Sequence, residues 1–189
     1  MTPEKLLGAL EVAGRLKDVT RHSWTAGGRH ESTAEHTFRA AIFAYFIKDE
    51  FPEADADKLI KMCLIHDLGE AFTGDIPSFN KTKADEEREE DMLFGWVSSL
   101  PEPLSSEMAS LYAEMAAMET LEAKIYKAID NLEAVITHNE ADLSTWIEKE
   151  YTLNLTYGDA RVAFSPYLTE LRRLIREITE EKIGKAKEE

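Results

Sequence analysis

The chain has 189 residues, 43% of them hydrophobic, and a net charge of −15. That length and apolar content suffice for one packed core. The acidity argues against a nucleic-acid polymer as partner, because phosphate backbones need a basic face. No long uncharged apolar run is present, so no membrane span is expected. Cys63 is the single cysteine and falls in an apolar run, which excludes an intrachain disulfide. Met-Thr-Pro-Glu-Lys at the start does not resemble a secretory signal, and a reduced cytoplasmic setting fits. The charge is uneven. Residues 1–40 carry six Lys or Arg against five Asp or Glu, a net +1, while residues 41–189 carry 16 against 32, a net −16. Most of the surface therefore reads as solvated and acidic, with a candidate anion site near the N-terminus.

Taken in order, residues 3–17 predict a helix. Thr2 is its cap, Pro3 sits in its first turn, and Leu6, Leu7, Leu10, Ala13, Gly14 and Leu16 form an apolar face. Residues 18–31 lack core periodicity and read as an irregular polar loop. Arg21, Trp24 and Arg29 make that loop a candidate binding segment. Ser32 or Thr33 caps a helix that runs to about Lys48, with His36 pointing inward beside Ala40, Phe43 and Ile47. Asp55 caps the next helix. Its apolar run Leu59, Ile60, Met62, Cys63, Leu64 and Ile65 leads into His66, Asp67 and Glu70, and Gly74 and Pro77 close it. Within one helix, Glu70 would lie close to both His66 and Asp67.

A strongly acidic helix start follows at residues 85–91, broken later by Pro101 and Pro103. Residues 105–117 predict a short helix whose Met108, Leu111 and Met115 read as core. A long helix over 119–140 buries Ile125, Ile129, Leu132 and Ile136. Asp130 stands beside that face in mid-helix, where a carboxylate is a poor helix former and costly to bury unpaired. Tyr151, Leu153, Leu155 and Tyr157 alternate but have no evident partner strand, and read as an extended connection. A final helix is expected over 165–187. The class is all-α, with about seven helices.

His36, His66, Asp67 and Asp130 together form a mixed nitrogen and oxygen donor set. Such a set suits one divalent ion of the manganese, cobalt or iron type, with magnesium also compatible, and leaves positions open. It contains no thiolate, which argues against a closed structural zinc site.

At this point a resemblance becomes specific. Glu-Ser-Thr-Ala-Glu-His (31–36), His-Asp-Leu-Gly-Glu-Ala-Phe-Thr-Gly-Asp-Ile-Pro (66–77) and the segment 122–134 with Asp130 resemble the HD-domain metal-dependent phosphohydrolases. The similarity is to the 5′-deoxynucleotidase branch, spans roughly residues 15–140, and implies one HD-type helical bundle over 1–189. It implies that His36, His66, Asp67 and Asp130 bind the metal and that Glu70 and Asp75 act near the attacking water and the leaving oxygen. It further implies that Arg21 holds the phosphate while Trp24 presses on the sugar, excluding a 2′-hydroxyl. Some members have the Arg and Trp adjacent, whereas two residues separate them here, and His30 stands where an Asn is common. The implied activity is hydrolysis of deoxynucleoside 5′-monophosphates, with a homodimer as the implied assembly. The apolar surfaces of the last helix and of the methionine-rich helix are candidate dimer contacts.

Three rivals remain at this level. One is hydrolysis of another nucleotide, such as a guanosine polyphosphate or a cyclic dinucleotide, and another is a non-catalytic nucleotide-binding module. The third, a di-iron oxygenase of the same fold, needs extra histidines, and none occurs between His66 and His138. Trp24 and Arg21 show no recognisable polar set for reading the base. His22, His30 and His138 read as surface or core residues.

Overall fold

A computed structural model describes residues 1–185. Helix α1 (Pro3–Arg15) is capped by Thr2, whose hydroxyl accepts from Lys5 N. Its expected apolar face is largely solvent-facing, since Leu6, Leu7 and Leu10 are all exposed. Only Val12 and the following Leu16 enter the core, because α1 docks by its C-terminal end, where Ala34 N bonds Leu16 O.

The segment expected to be irregular forms a hairpin. Strand β1 (Thr20–Trp24) pairs antiparallel with β2 (His30–Ser32), Thr20 opposite Ser32 and Trp24 opposite His30, with a bulge between. Gly28, at φ +79°, closes its turn by donating to Thr25 O. Two strands this short and polar carry too little alternation to be read from sequence.

Helix α2 (Thr33–Ile47) starts in a capping box of Ser32 and Glu35. Helix α3 (Ala56–Ile65), capped by Asp55, stops at His66 rather than continuing to Gly74. Residues 66–69 tighten into i→i−3 bonds, such as Glu70 N to Asp67 O, and a separate single turn, α4 (Glu70–Thr73), follows. Gly69 sits in that tight turn where a Cβ would lie 2.7 Å from Glu89 Cγ, so α4 seats closely on the following helix. Then come α5 (Lys83–Ser99), α6 (Leu104–Ala117), α7 (Leu121–Glu140), the single turns α8 (Glu150–Leu153) and α9 (Asp159–Val162), and α10 (Pro166–Lys185). The final helix was expected to reach residue 187, and its last two residues lie outside the described ones.

The supposed extended connection at 151–157 is helical at its start, with Asn154 N bonding Glu150 O. Without a neighbouring strand, its period of two had no ladder to join. Seven of the described helices have ten residues or more. In α6, Met108, Leu111 and Met115 are buried and so are not free for a dimer, whereas Leu174 and Ile178 of α10 remain exposed.

Helix α7 is the axis. Ile125, Ala128, Ile129 and Leu132 are fully buried, and α2, α3, α6 and α10 pack around them. Replacing Ile129 by Ala should cost about 2–5 kcal/mol through the cavity it leaves beside Asp130. Urea unfolding of the variant measures this, and a cost well below that range would place α7 outside the stabilising core.

Candidate metal centre and cavity

Each of the four expected ligands comes from a different place in the packing. His36 lies in the first turns of α2, His66 at the C-terminal cap of α3, Asp67 in the tightened turn, and Asp130 in the middle of α7. His36 Nε2 is 3.2 Å from His66 Nε2, 3.2 Å from Asp130 Oδ1 and 3.7 Å from Asp67 Oδ2. His66 Nε2 is 3.2 Å from Asp67 Oδ2 and 3.6 Å from Asp130 Oδ1. Ligands bound at about 2.1 Å around one ion are themselves separated by roughly 3 Å, so the close group of His36, His66 and Asp67 has spacings that fit a shared cation, and Asp130 adjoins it through both imidazoles.

The partners of the other ring nitrogens support the same use. His66 Nδ1 lies 2.9 Å from Cys63 O, to which it donates, and His36 Nδ1 donates to Glu133 Oε2. Both imidazoles thus present Nε2 to the cluster, the arrangement a metal needs. Glu133 is fully buried and also accepts from Thr137 Oγ1 at 2.9 Å. Glu31, His36 and Glu133 form a second cluster of donor types. Because Glu133 already takes the His36 Nδ1 proton, we read that cluster as the buttress of His36.

Electrostatics follow from crowding carboxylates where water is scarce. Burial would raise Asp130, but Lys127, whose Nζ is 2.7 Å from Oδ2, and the two imidazoles hold it well below the usual carboxylate range. Burial would likewise raise Asp67, and His66, His36 and Arg21 together bring it below its ordinary value. His36 experiences burial and Arg21 against its charged form, yet the hydrogen bonds to Asp130 and Glu133 outweigh them and it is pushed up to about 10. Glu70 moves most conspicuously: burial, then the neighbouring Asp67 and Asp75, push its carboxyl up to about 9. Its Oε2 accepts from Thr33 Oγ1 at 2.8 Å.

Asp67, Glu70, Asp75, Asp130 and Arg21 all line one cavity of about 300 Å³. Arg21 sits between carboxylates, Nη1 at 3.4 Å from Asp67 Oδ2 and Nε at 3.4 Å from Glu31 Oε2. Trp24 does not line this cavity. Its ring packs on His30, with centroids 4.1 Å apart, near the turn of the hairpin. Two strand residues separate it from Arg21, a step of about 10 Å along β1.

Several groups at the site were not singled out from sequence: Glu133, Lys127, Lys81 and Thr33, and at the opposite end of the cavity His22, His138, Glu150 and Asn154. A buried Glu one turn after Asp130 on the same helix was the only legible hint, for Glu133.

With this geometry in place, comparisons with known proteins agree on a class. Residues 13–172 match the family model of the HD domain, and the chain belongs to that family. More particularly, it is similar to 5′-deoxynucleotidase HDDC2 of Homo sapiens, 33% identical over 139 residues covering 71% of this chain and 67% of that protein. It is also similar to 5′-deoxynucleotidase hdd1 of Schizosaccharomyces pombe, 30% identical over 158 residues covering 74% and 79%. Among solved structures, a predicted metal-dependent phosphohydrolase from Magnetospirillum magnetotacticum superposes with a TM-score of 0.80 at 22% identity, covering 95% of this chain and 93% of that one. A conserved hypothetical protein from Pyrococcus furiosus gives 0.68 at 28% identity, covering 92% and 99%. No helix among the described residues is long and apolar enough to cross a membrane.

Two outcomes test the centre. His66→Ala or Asp130→Ala should remove bound metal, read by elemental analysis of the purified proteins, and full occupancy in either would refute the ligand set. In protein stripped of metal, Glu70 has a folded pKa of about 9 against 4.5 when unfolded. Its contribution to stability is therefore complete below about pH 4.5 and is lost as pH rises towards 9. Melting temperature should fall between about pH 5 and 9, and Glu70→Gln should flatten that slope. An identical slope in the variant would show that Glu70 is not held in its neutral form.

Proposed function

We propose that the protein is a metal-dependent 5′-deoxynucleotidase that cleaves deoxynucleoside 5′-monophosphates to deoxynucleoside and phosphate. The observation that carries the reading is the convergence of His36, His66, Asp67 and Asp130, the two carboxylates of which line a cavity with Glu70, Asp75 and Arg21. The similarity to proteins named 5′-deoxynucleotidases supplies the substrate class. A divalent ion held by those four residues supplies a Lewis acid beside the phosphoryl group.

The chain's own groups do the rest. Arg21 and Lys127 offset the charge of the phosphoryl oxygens. Glu70 takes a proton from the attacking water as the new P–O bond forms. The proton Glu70 takes passes on to the departing 5′-oxygen as the old P–O bond breaks, with Asp75 acting beside that oxygen. The cavity's size suits a mononucleotide better than a cyclic dinucleotide. With a net charge of −15, the protein cannot steer an anion from a distance, and capture falls to Arg21, Lys81, Lys127 and the ion.

The reading includes one transition metal ion of the manganese, cobalt or iron type or magnesium, no nucleic-acid polymer as partner, a cytoplasmic location and a homodimer. Exposed Leu6, Leu7 and Leu10 on α1 support the dimer better than the methionine-rich α6 does.

Phosphate release from a panel of nucleotides, with and without added divalent metal, tests the proposal. Activity should require metal and favour dAMP over AMP. Equal kcat/KM for the pair would reject the deoxyribose preference, and activity unaffected by chelation would reject the metal. Glu70→Gln should retain metal and lose about 10²–10⁴-fold in kcat. A loss below about tenfold would assign Glu70 a structural role instead.

A further inference from the structure

His36 meets the metal cluster with one ring nitrogen and the protein interior with the other. Its Nδ1 donates to Glu133 Oε2, and both side chains are fully buried. The second oxygen of Glu133 faces two more donors. Thr137 Oγ1 donates to Oε1 at 2.9 Å, and Arg39 Nε lies 3.4 Å from the same atom. Arg39 then forks onto Glu140, with Nη1 2.5 Å from Oε2 and Nη2 3.0 Å from Oε1. The side chain of Arg39 is 34% exposed and that of Glu140 49%. A line of charged groups thus runs inward from the surface, from Glu140 to Arg39 to Glu133, and ends on His36.

Two helices lay out this line. Arg39 follows His36 by three residues on α2, so the two are neighbours on its surface. Glu133, Thr137 and Glu140 recur at i, i+4 and i+7 on α7, which packs against α2. A fully buried carboxylate costs free energy unless charge and hydrogen bonds match it. Glu31 approaches the same cluster and adds to the need, because the two carboxylates repel. Arg21 is shared between Glu31 and Asp67, at 3.4 Å from each, which leaves Arg39 as the guanidinium in contact with Glu133. An imidazole that turns Nε2 to a cation keeps its proton on Nδ1. A charged acceptor for that proton fixes the ring and strengthens Nε2 as a donor. Arg39, Glu133 and Glu140 do not line the cavity.

We propose that Arg39 is a positioning residue for the metal centre. Held by Glu140, it keeps Glu133 charged and aimed at His36 Nδ1, and so sets how tightly His36 Nε2 holds a divalent cation. The inference rests on the reading of His36, His66, Asp67 and Asp130 as ligands.

Calorimetric titration of metal-stripped protein with Mn²⁺ tests it. Arg39→Met keeps the length of the side chain without its charge and should weaken Mn²⁺ binding by about 10–100-fold. Arg39→Lys should recover part of that loss, since an ammonium can face Glu133 but cannot also fork onto Glu140. Glu140→Gln should weaken binding less than Arg39→Met does. Arg39→Met combined with Glu133→Gln should bind no more weakly than Glu133→Gln alone, because the first acts through the second. At saturating Mn²⁺, KM for dAMP in Arg39→Met should equal the parent's. Parent-like Mn²⁺ affinity in Arg39→Met overturns the inference and leaves the metal centre intact. Losses that add in the double variant, or a KM that stays raised at saturating Mn²⁺, overturn the route through Glu133. A parent that binds no Mn²⁺ overturns the ligand reading and this inference with it. If Arg39→Met does not fold, Arg39→Lys and Glu140→Gln decide, and parent-like affinity in both overturns the inference.

Discussion

The constraint on which the rest of the structure depends is the burial of Asp67, Glu70, Asp130, Glu31 and Glu133 around two imidazoles. Like charges this close repel strongly where water is scarce, and a packed apolar core cannot relieve them. The chain answers with Arg21 and Lys127, with hydrogen bonds from Thr33 and Thr137, and with a gap between Nε2 atoms that suits a cation.

That constraint also explains the architecture. Four ligand-type groups on α2, the α3 cap, the following turn and α7 meet only if those elements pack at fixed distances. The fully buried Ile129 and Leu132 on α7, with Ala40 and Ala44 on α2 and Leu59 and Met62 on α3, hold them there. The four groups are thereby set by tertiary packing rather than by any local loop, and loosening the core would loosen their spacing.

The cavity changes in character along its length. One end carries Arg21, Lys81 and Lys127 among carboxylates, and the other carries Glu150, Asn154 and two histidines beside apolar side chains. The hairpin serves both, because Arg21 and His22, adjacent in β1, each reach the same cavity across its bulge. Sequence distance is a poor guide to place in this pocket: Arg21 and Glu150 both line it, while Trp24, three residues on from Arg21, packs on His30 instead.

By itself, the sequence determined the helical class, the caps at Thr2, Ser32 and Asp55, the inward turn of His36, and the demand of Asp130 for a partner. These are local properties, written in periodicity of 3.6 and in side chains that bond their own backbone. The tertiary structure alone decided that the HD turn breaks α3, that residues 20–32 form a hairpin, that Leu6, Leu7 and Leu10 stay outside, and that Trp24 leaves the cavity. It alone joined Glu133 to His36 across 97 residues and brought Glu150 beside His22 in the cavity lining. The physical reason is the same in each case: burial, pairing and the cost of an unmatched polar atom depend on which distant segment arrives beside it, and no local pattern records that arrival.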